Sequence, residues 1–208
     1  MRTRVKFCGF TREQDVQQAV ALGADALGFV LYEKSPRYVT PERMAKLCAL
    51  VPAFVSTVAL FVNAEEAQIQ AVLHQAPIQF VQLHGDESFA FAVHLQQTLH
   101  IPVIKAVRVN AQTDWAEIAR HIDQLAGVLL DSDSAGYGGS GHGFDWHSIP
   151  EELRGRIILS GGLSVDRVGE AMAQIAPYAV DVSSGIELSK GVKSADKMRA
   201  FMQQVLHH

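Results

Sequence analysis

Eight short apolar runs, each followed by an amphipathic stretch, recur along the whole chain. This alternation restricts the fold more than any other feature. The runs lie at 5–8, 26–31, 55–62, 80–83, 103–107, 127–131, 157–160 and 179–183. They are rich in Val, Ile and Phe, as expected of parallel strands covered on both faces. Helical stripes separate them. Val16, Ala19 and Val20 stand at i, i+3, i+4, as do Met44, Leu47 and Cys48 with Val51, and Ile69, Val72 and Leu73. Trp115, Ile118, Ile122 and Leu125 form another stripe, Val165, Val168, Met172 and Ile175 a further one, and Met198, Phe201, Met202 and Val205 the last. Residues 87–99 also read as helix. The weakest helix is expected around Trp146 to Leu153, where Pro150 interrupts it.

Local signals mark several helix starts. Thr40-Pro41 supplies an N-cap followed by proline in the first turn. Thr11 with Gln14, and Asn63 with Glu66, have the spacing of capping boxes. Eight βα units in 208 residues leave about 26 residues per unit, and strict repetition favours closure. The expected fold is α/β: one short (β/α)8 barrel over residues 1–208, with few insertions.

Composition removes other classes. Hydrophobic residues make up 48% of the chain and charged residues 19%, enough apolar matter for a large core. A net charge of −4 is unfavourable for general nucleic-acid binding. Two cysteines, Cys8 and Cys48, exclude a disulfide framework. No basic-then-apolar leader is visible, and no apolar run is long enough to span a bilayer. A cytoplasmic protein without nucleic-acid or membrane partners is expected. The terminal His207-His208 pair is given no function.

In such a barrel the chemistry sits where strands end and βα loops begin. Cys8 ends strand one before Gly9. It differs from Cys48, which lies on a core stripe, where a free cysteine is a small hydrophobe. A positive environment would lower its reference pKa of about 8.5 and make it a nucleophile or base. Asp131 closes an apolar strand. A carboxyl partly desolvated there is suited to general-acid work, although capping the next loop is the plainer role. The period of two puts Lys6 with Cys8, Gln82 with His84, Leu129 with Asp131 and Asp181 with Ser183 on shared faces. Cys8 and Asp131 then project into one mouth. Lys6 and Asp181, on strands one and eight, are expected to form an internal ion pair of structural rather than catalytic character. Asp86 and Glu87 are read as a helix start.

Gly161-Gly162, the helix opening at Ser164, and Ser183-Ser184-Gly185 form adjacent loops of free amides, hydroxyls and a helix N-terminus, which suit a phosphate. Either loop alone would be read as a tight turn. Arg37 is a candidate anion clamp, and His84 is the best placed of nine histidines. No HxH or HExxH spacing points to a metal. Residues 136–141 match G-x-G-x-x-G in form but open no helix. The segment 132–144 is read as a glycine-rich lid rather than a dinucleotide loop.

Together these segments carry a family resemblance. Lys6-Phe7-Cys8-Gly9-Phe10-Thr11, Leu27-Gly28-Phe29-Val30, Ser35-Pro36-Arg37-Tyr38-Val39, Phe61-Val62-Asn63 and Val81-Gln82-Leu83-His84-Gly85-Asp86-Glu87 are its first half. Leu130-Asp131, Gly138-Gly139-Ser140-Gly141 with Phe144-Asp145-Trp146, Gly161-Gly162-Leu163 and Asp181-Val182-Ser183-Ser184-Gly185-Ile186-Glu187 complete it. Over essentially its whole length the chain resembles the phosphoribosylanthranilate isomerases of tryptophan biosynthesis. It departs from their usual pattern at Phe7, Phe10, Ser140 and Ser160, none of them the implied acid or base.

The resemblance implies an Amadori rearrangement of N-(5-phosphoribosyl)anthranilate. Asp131 would be the general acid and Cys8 the general base. Arg37, Gln82 and His84 would meet the substrate, and Gly161, Gly162, Ser183, Ser184 and Gly185 its phosphate. No cofactor or metal is implied, and the family includes monomers and homodimers. Two alternatives remain at this point. One is another sugar-phosphate isomerase or epimerase on the same barrel, such as the related histidine-pathway isomerase, which uses two aspartates; Cys8 speaks against it. The other is a non-catalytic phosphate-ligand binding barrel.

Overall fold

The computed structural model describes residues 2–132 and 144–207. Eight parallel strands close in sequence order into a barrel: β1 (Arg4–Cys8), β2 (Ala26–Val30), β3 (Ser56–Phe61), β4 (Phe80–Leu83), β5 (Val103–Val109), β6 (Gly127–Ser132), β7 (Ile158–Leu159) and β8 (Ala179–Val182). β8 pairs back onto β1, with Lys6 opposite Asp181, so the expected closure holds. Helices α1 (Glu13–Ala21), α2 (Pro41–Cys48), α3 (Glu66–Leu73), α4 (Phe89–Leu99), α5 (Trp115–His121), α6 (Glu151–Arg154), α7 (Val165–Ile175) and α8 (Ala195–Leu206) follow the strands. As the interrupted pattern suggests, α6 is a single turn after Pro150, preceded by a 3-10 turn at Trp146–Ser148. The glycine-rich run 136–141 falls outside the described residues. No helix among the described residues is long and apolar enough to cross a membrane.

The period of two sorts the strand residues into layers. Outward residues such as Phe7, Phe29, Val128 and Leu130 join the helix stripes in one large core. The inward residues Ile104, Ala106, Leu129, Ile158 and Ala179 form a separate apolar plug low in the barrel. Higher up, Cys8, Val30 and Leu60 form a third group beneath the mouth. Between plug and mouth lie the charged residues Lys6 and Asp181, each 4% exposed.

Helix starts show where local chemistry decides and where it does not. Thr40 accepts from the Arg43 amide with Pro41 behind it, as its sequence demands. The two expected capping boxes are not formed. Thr11 instead donates to the Gly191 carbonyl, and Arg12 stands at the N-cap of α1. Asn63 takes a left-handed backbone (φ 51°) and bonds the Asp86 amide, while Glu65 with Gln68 makes the box of α3. Asp86 and Glu87 do not start α4 either: Ser88 caps it, accepting from the Phe91 amide. A short antiparallel hairpin, β9 (Glu187–Ser189) with β10 (Val192–Lys193), follows β8 and was not expected from the sequence.

Phe7 and Phe10 lie in the large core and do not line the cavity at the mouth. Phe7 is fully buried and meets Phe201 of α8 edge-on, ring centroids 6.0 Å apart. Phe10 packs against Phe29. Truncating Phe7 empties the seam between β1 and α8. Phe7→Ala is expected to lower the unfolding free energy by about 3–5 kcal/mol, read from urea denaturation.

Candidate active site

The cavity at the C-terminal mouth brings together side chains that are far apart in sequence. Cys8 (β1), Arg37 (the β2–α2 loop), His84 (after β4), Asp131 (β6), and Gly161, Gly162, Ser183 and Ser184 (the last two loops) all border it. Gln82 and Gly185 do not. Gln82 is fully buried beneath His84. Gly185 lies where the last two loops touch: a Cβ there would strike the Leu163 carbonyl and come within 2.9 Å of the Ser164 Cα.

Asp131 is held at both carboxyl oxygens. The Ser132 amide donates to Oδ1 at 2.7 Å, and His84 Nε2 lies 3.0 Å from Oδ2. Gln82 Nε2 lies 2.9 Å from His84 Nδ1. With the amide nitrogen on that side, Nδ1 accepts, and the ring proton sits on Nε2 facing Asp131. Gln82 Oε1 then has no partner in its buried position. Gln82 therefore reaches the cavity lining through His84.

The β4–α4 loop that presents His84 is pinned by Glu87. Its carboxylate accepts from the amides of Asn63 and Gly85 and from Lys105 Nζ at 3.2 Å. Lys105 also donates to the Gly85 carbonyl. It sits on the outward face of β5 and braces the loop rather than bordering the cavity. Burial pulls its pKa down from the ordinary value, and Glu87 opposes that shift.

The last two loops combine positive-φ glycines with a short helix. Gly161 (φ 79°) and Gly162 (φ 68°) need glycine for their backbone alone. A Cβ on Gly161 would also come within 2.8 Å of Asp131 Oδ1 and strike the Ser132 amide, so this loop lies directly on the carboxyl of β6. Ser164 precedes α7 without capping it through its side chain, and the 3-10 turn Ser184–Ile186 opens after Ser183 in the same way. Short helix N-termini with free first-turn amides are suited to anions.

Arg37 is not a lone surface arginine. Its Nε and Nη2 each lie 2.8 Å from a different oxygen of Glu187, and neither bond uses Nη1. Lys193 Nζ reaches the same carboxylate at 2.8 Å and the Ser183 carbonyl at 3.1 Å. Gly9 makes room for this arrangement: a Cβ there would stand 2.5 Å from Arg37 Cδ. Glu187 and Lys193 were missed as site residues. Glu187 stood at the end of the last quoted motif, but nothing local announced a partner 150 residues away.

The thiol of Cys8 runs against expectation. Burial pushes it up from its ordinary value, and this outweighs the lowering by Lys6 and Lys193; Asp181 raises it further. Cys48, buried on the α2 stripe, is pushed up by burial to about 12 and is inert core.

A closed (β/α)8 barrel with polar groups converging at the C-terminal ends of its strands has the site placement of barrel enzymes. A family profile described as N-(5'phosphoribosyl)anthranilate (PRA) isomerase matches residues 5–204. The N-(5'-phosphoribosyl)anthranilate isomerase of Dechloromonas aromatica is 46% identical over 205 residues, covering 99% of this chain and 97% of its own. The solved phosphoribosyl anthranilate isomerase of Thermus thermophilus superposes with a TM-score of 0.85 at 34% identity, over 99% of each chain. Another, in complex with reduced 1-(o-carboxyphenylamino)-1-deoxyribulose 5-phosphate, gives 0.82 at 36% identity, over 99% of this chain and 100% of that one. The chain belongs to the N-(5'-phosphoribosyl)anthranilate isomerase family.

The Arg37–Glu187–Lys193 network sets a test. Burial pushes the Glu187 carboxyl up, but Arg37 and Lys193 more than offset this and hold it below its ordinary value. A lowered folded pKa stabilises the fold above the ordinary carboxylate range, and that contribution is lost as pH falls through the folded value. Glu187→Gln leaves two buried cations without a counter-charge and is expected to cost about 3–5 kcal/mol at pH 7. The gap to wild type should shrink on acidification below 4.5, the ordinary value, in urea titrations across pH.

Proposed function

We propose that the chain rearranges N-(5-phosphoribosyl)anthranilate to 1-(2-carboxyphenylamino)-1-deoxyribulose 5-phosphate, a step of tryptophan biosynthesis in the cytoplasm, with Asp131 as general acid and Cys8 as general base. The observation that carries this reading is their placement. They come from β1 and β6, well apart around the ring, yet border one cavity whose rim is built from the anion-binding type of loop. Family membership supports the reaction, and the shared cavity supports the roles.

Asp131 protonates the furanose ring oxygen, the C1–O bond breaks, and the nitrogen lone pair forms a protonated imine. The proton on His84 Nε2 faces Asp131 Oδ2, so the histidine steadies the carboxylate left when the acid gives up its proton. The C2 proton then passes to the sulfur of Cys8. The C–H electrons form the C1–C2 double bond of an enolamine, and the imine nitrogen regains its pair. Tautomerisation returns a proton to C1 and leaves a ketone at C2. The nitrogen donates its pair as the ring opens and takes a pair back as C2 loses its proton. The Gly161-Gly162 loop and Ser183-Ser184 hold the phosphate, and Arg37, fixed by Glu187, faces the anthranilate carboxylate. Remote binding of both anions sets C2 over Cys8 and the ring oxygen by Asp131.

The test is the loss of anthranilate-type fluorescence from substrate generated in situ, with chelator present. Cys8→Ser and Asp131→Asn are each expected to lower turnover by about 10²–10⁴ with the fold intact by circular dichroism. Wild-type rates in either variant would remove that residue from its role. No turnover by folded wild type would overturn the reading, and phosphate binding without turnover would favour a non-catalytic barrel.

A further inference from the structure

A buried neutral thiol is a poor base, and Cys8 sits where burial favours that form. The charged groups facing it come from several elements: Lys6 on β1, Asp181 on β8, Lys193 on β10 and Arg37 on the β2–α2 loop. His84 and Asp131 border the same cavity. From β2 and β3 it meets the uncharged Gly28, Val30 and Leu60.

Lys6 stands out among these. It lies two residues before Cys8 on the same inward face, and Gly28 of β2 is in register with Cys8. A Cβ on Gly28 would stand 2.7 Å from Cys8 Sγ and 3.0 Å from Lys6 Nζ. The sulfur and the ammonium thus share the space that a missing side chain leaves open. On its other side, Lys6 Nζ donates to Asp181 Oδ1 at 2.9 Å, and all three residues are 4% exposed. The geometry is a chain: carboxylate, ammonium, thiol.

We propose that Lys6 is a positioning residue for the reaction, whose ammonium stabilises the Cys8 thiolate, with Asp181 restraining that ammonium. The proposal rests on the reading of Cys8 as the base. The S–H bond breaks, sulfur keeps the electron pair, and the proton leaves to water through the open mouth. Lys6 keeps its own proton throughout. Burial pulls the Lys6 pKa down, but Asp181 and Cys8 more than offset this and hold it above the ordinary value. A carboxylate on one side of the lysine and a thiol on the other explain why a pair that looks purely structural sits directly beneath Cys8.

The variants have opposite signs, which a scaffold role would not produce. The readout is the pH midpoint of Cys8 alkylation by iodoacetamide on the full chain, with Cys8→Ser as the blank that reports any reaction at Cys48. Lys6→Met removes the ammonium and is expected to raise the midpoint by about one unit or more. Asp181→Asn frees the ammonium from its carboxylate and lowers it. Lys6→Arg keeps the charge and holds it near wild type. Because Lys6→Met leaves Asp181 buried without a counter-charge, the double variant Lys6→Met/Asp181→Asn is measured beside it. Its midpoint also lies above wild type, since the lost ammonium acts on the thiol more strongly than the lost carboxylate. The rising limb of kcat/KM against pH moves with the midpoint in each active variant.

An unmoved midpoint in the folded double variant, or shifts of the same sign for Lys6→Met and Asp181→Asn, overturns the proposal. Full turnover by Cys8→Ser would instead overturn the base assignment while leaving the midpoint shifts standing, so the two failures are distinguishable.

Discussion

A closed ring of eight strands has an interior that no helix covers. Any charge placed there must find its counter-charge across the ring or lie open to the mouth. This constraint organises the molecule. The low interior is an apolar plug. Above it Lys6 pairs with Asp181 across the β1–β8 seam, the last pairing the barrel needs to close. Removing one member of such a buried pair is costly, since the other is left uncompensated. The pair therefore also fixes the level at which polar chemistry begins, one step of the pleat below Cys8.

The same logic works at the rim. Glu187 gathers Arg37 and Lys193, while Glu87 gathers Lys105 and two backbone amides. Each carboxylate ties a loop to a neighbouring strand end, and each tied loop presents a functional group: Arg37 in one case, His84 in the other. The positioning groups thus stand behind the groups that face the cavity. Gly9 and Gly161 serve the same end by letting backbone lie against Arg37 and Asp131.

The sequence makes the strands legible because burial on both faces demands apolar runs. It makes the mouth legible because period two puts Cys8, His84 and Asp131 at strand ends. Thr40-Pro41 is readable because its chemistry is local. Thr11 and Asn63 mislead for the opposite reason: their side chains are drawn to Gly191 and Asp86, partners that exist only once the chain has folded. Gln82 shares a face with His84, as read, but lies one step lower, outside the cavity lining, and meets the histidine. The β9–β10 hairpin leaves no period to detect, being three residues against two. With it went Glu187 and Lys193, whose meaning depends on Arg37.

Cys8 shows why position is a better guide than residue type. A sequence can place a thiol at a mouth rich in lysine and arginine, yet whether those cations or burial dominates depends on distances it does not contain. Here burial prevails. A substrate phosphate and carboxylate would add negative charge to the mouth, which by itself disfavours a thiolate further. The cations near Cys8 must therefore be divided. Arg37 borders the cavity and is pinned by Glu187, and Lys193 is held by Glu187 and Ser183. Lys6 lies below the thiol, on the side away from the rim anions, and its other partner is internal. It is the cation that substrate binding is least able to neutralise, which makes its depth in the barrel, rather than its charge alone, the feature that suits it to Cys8.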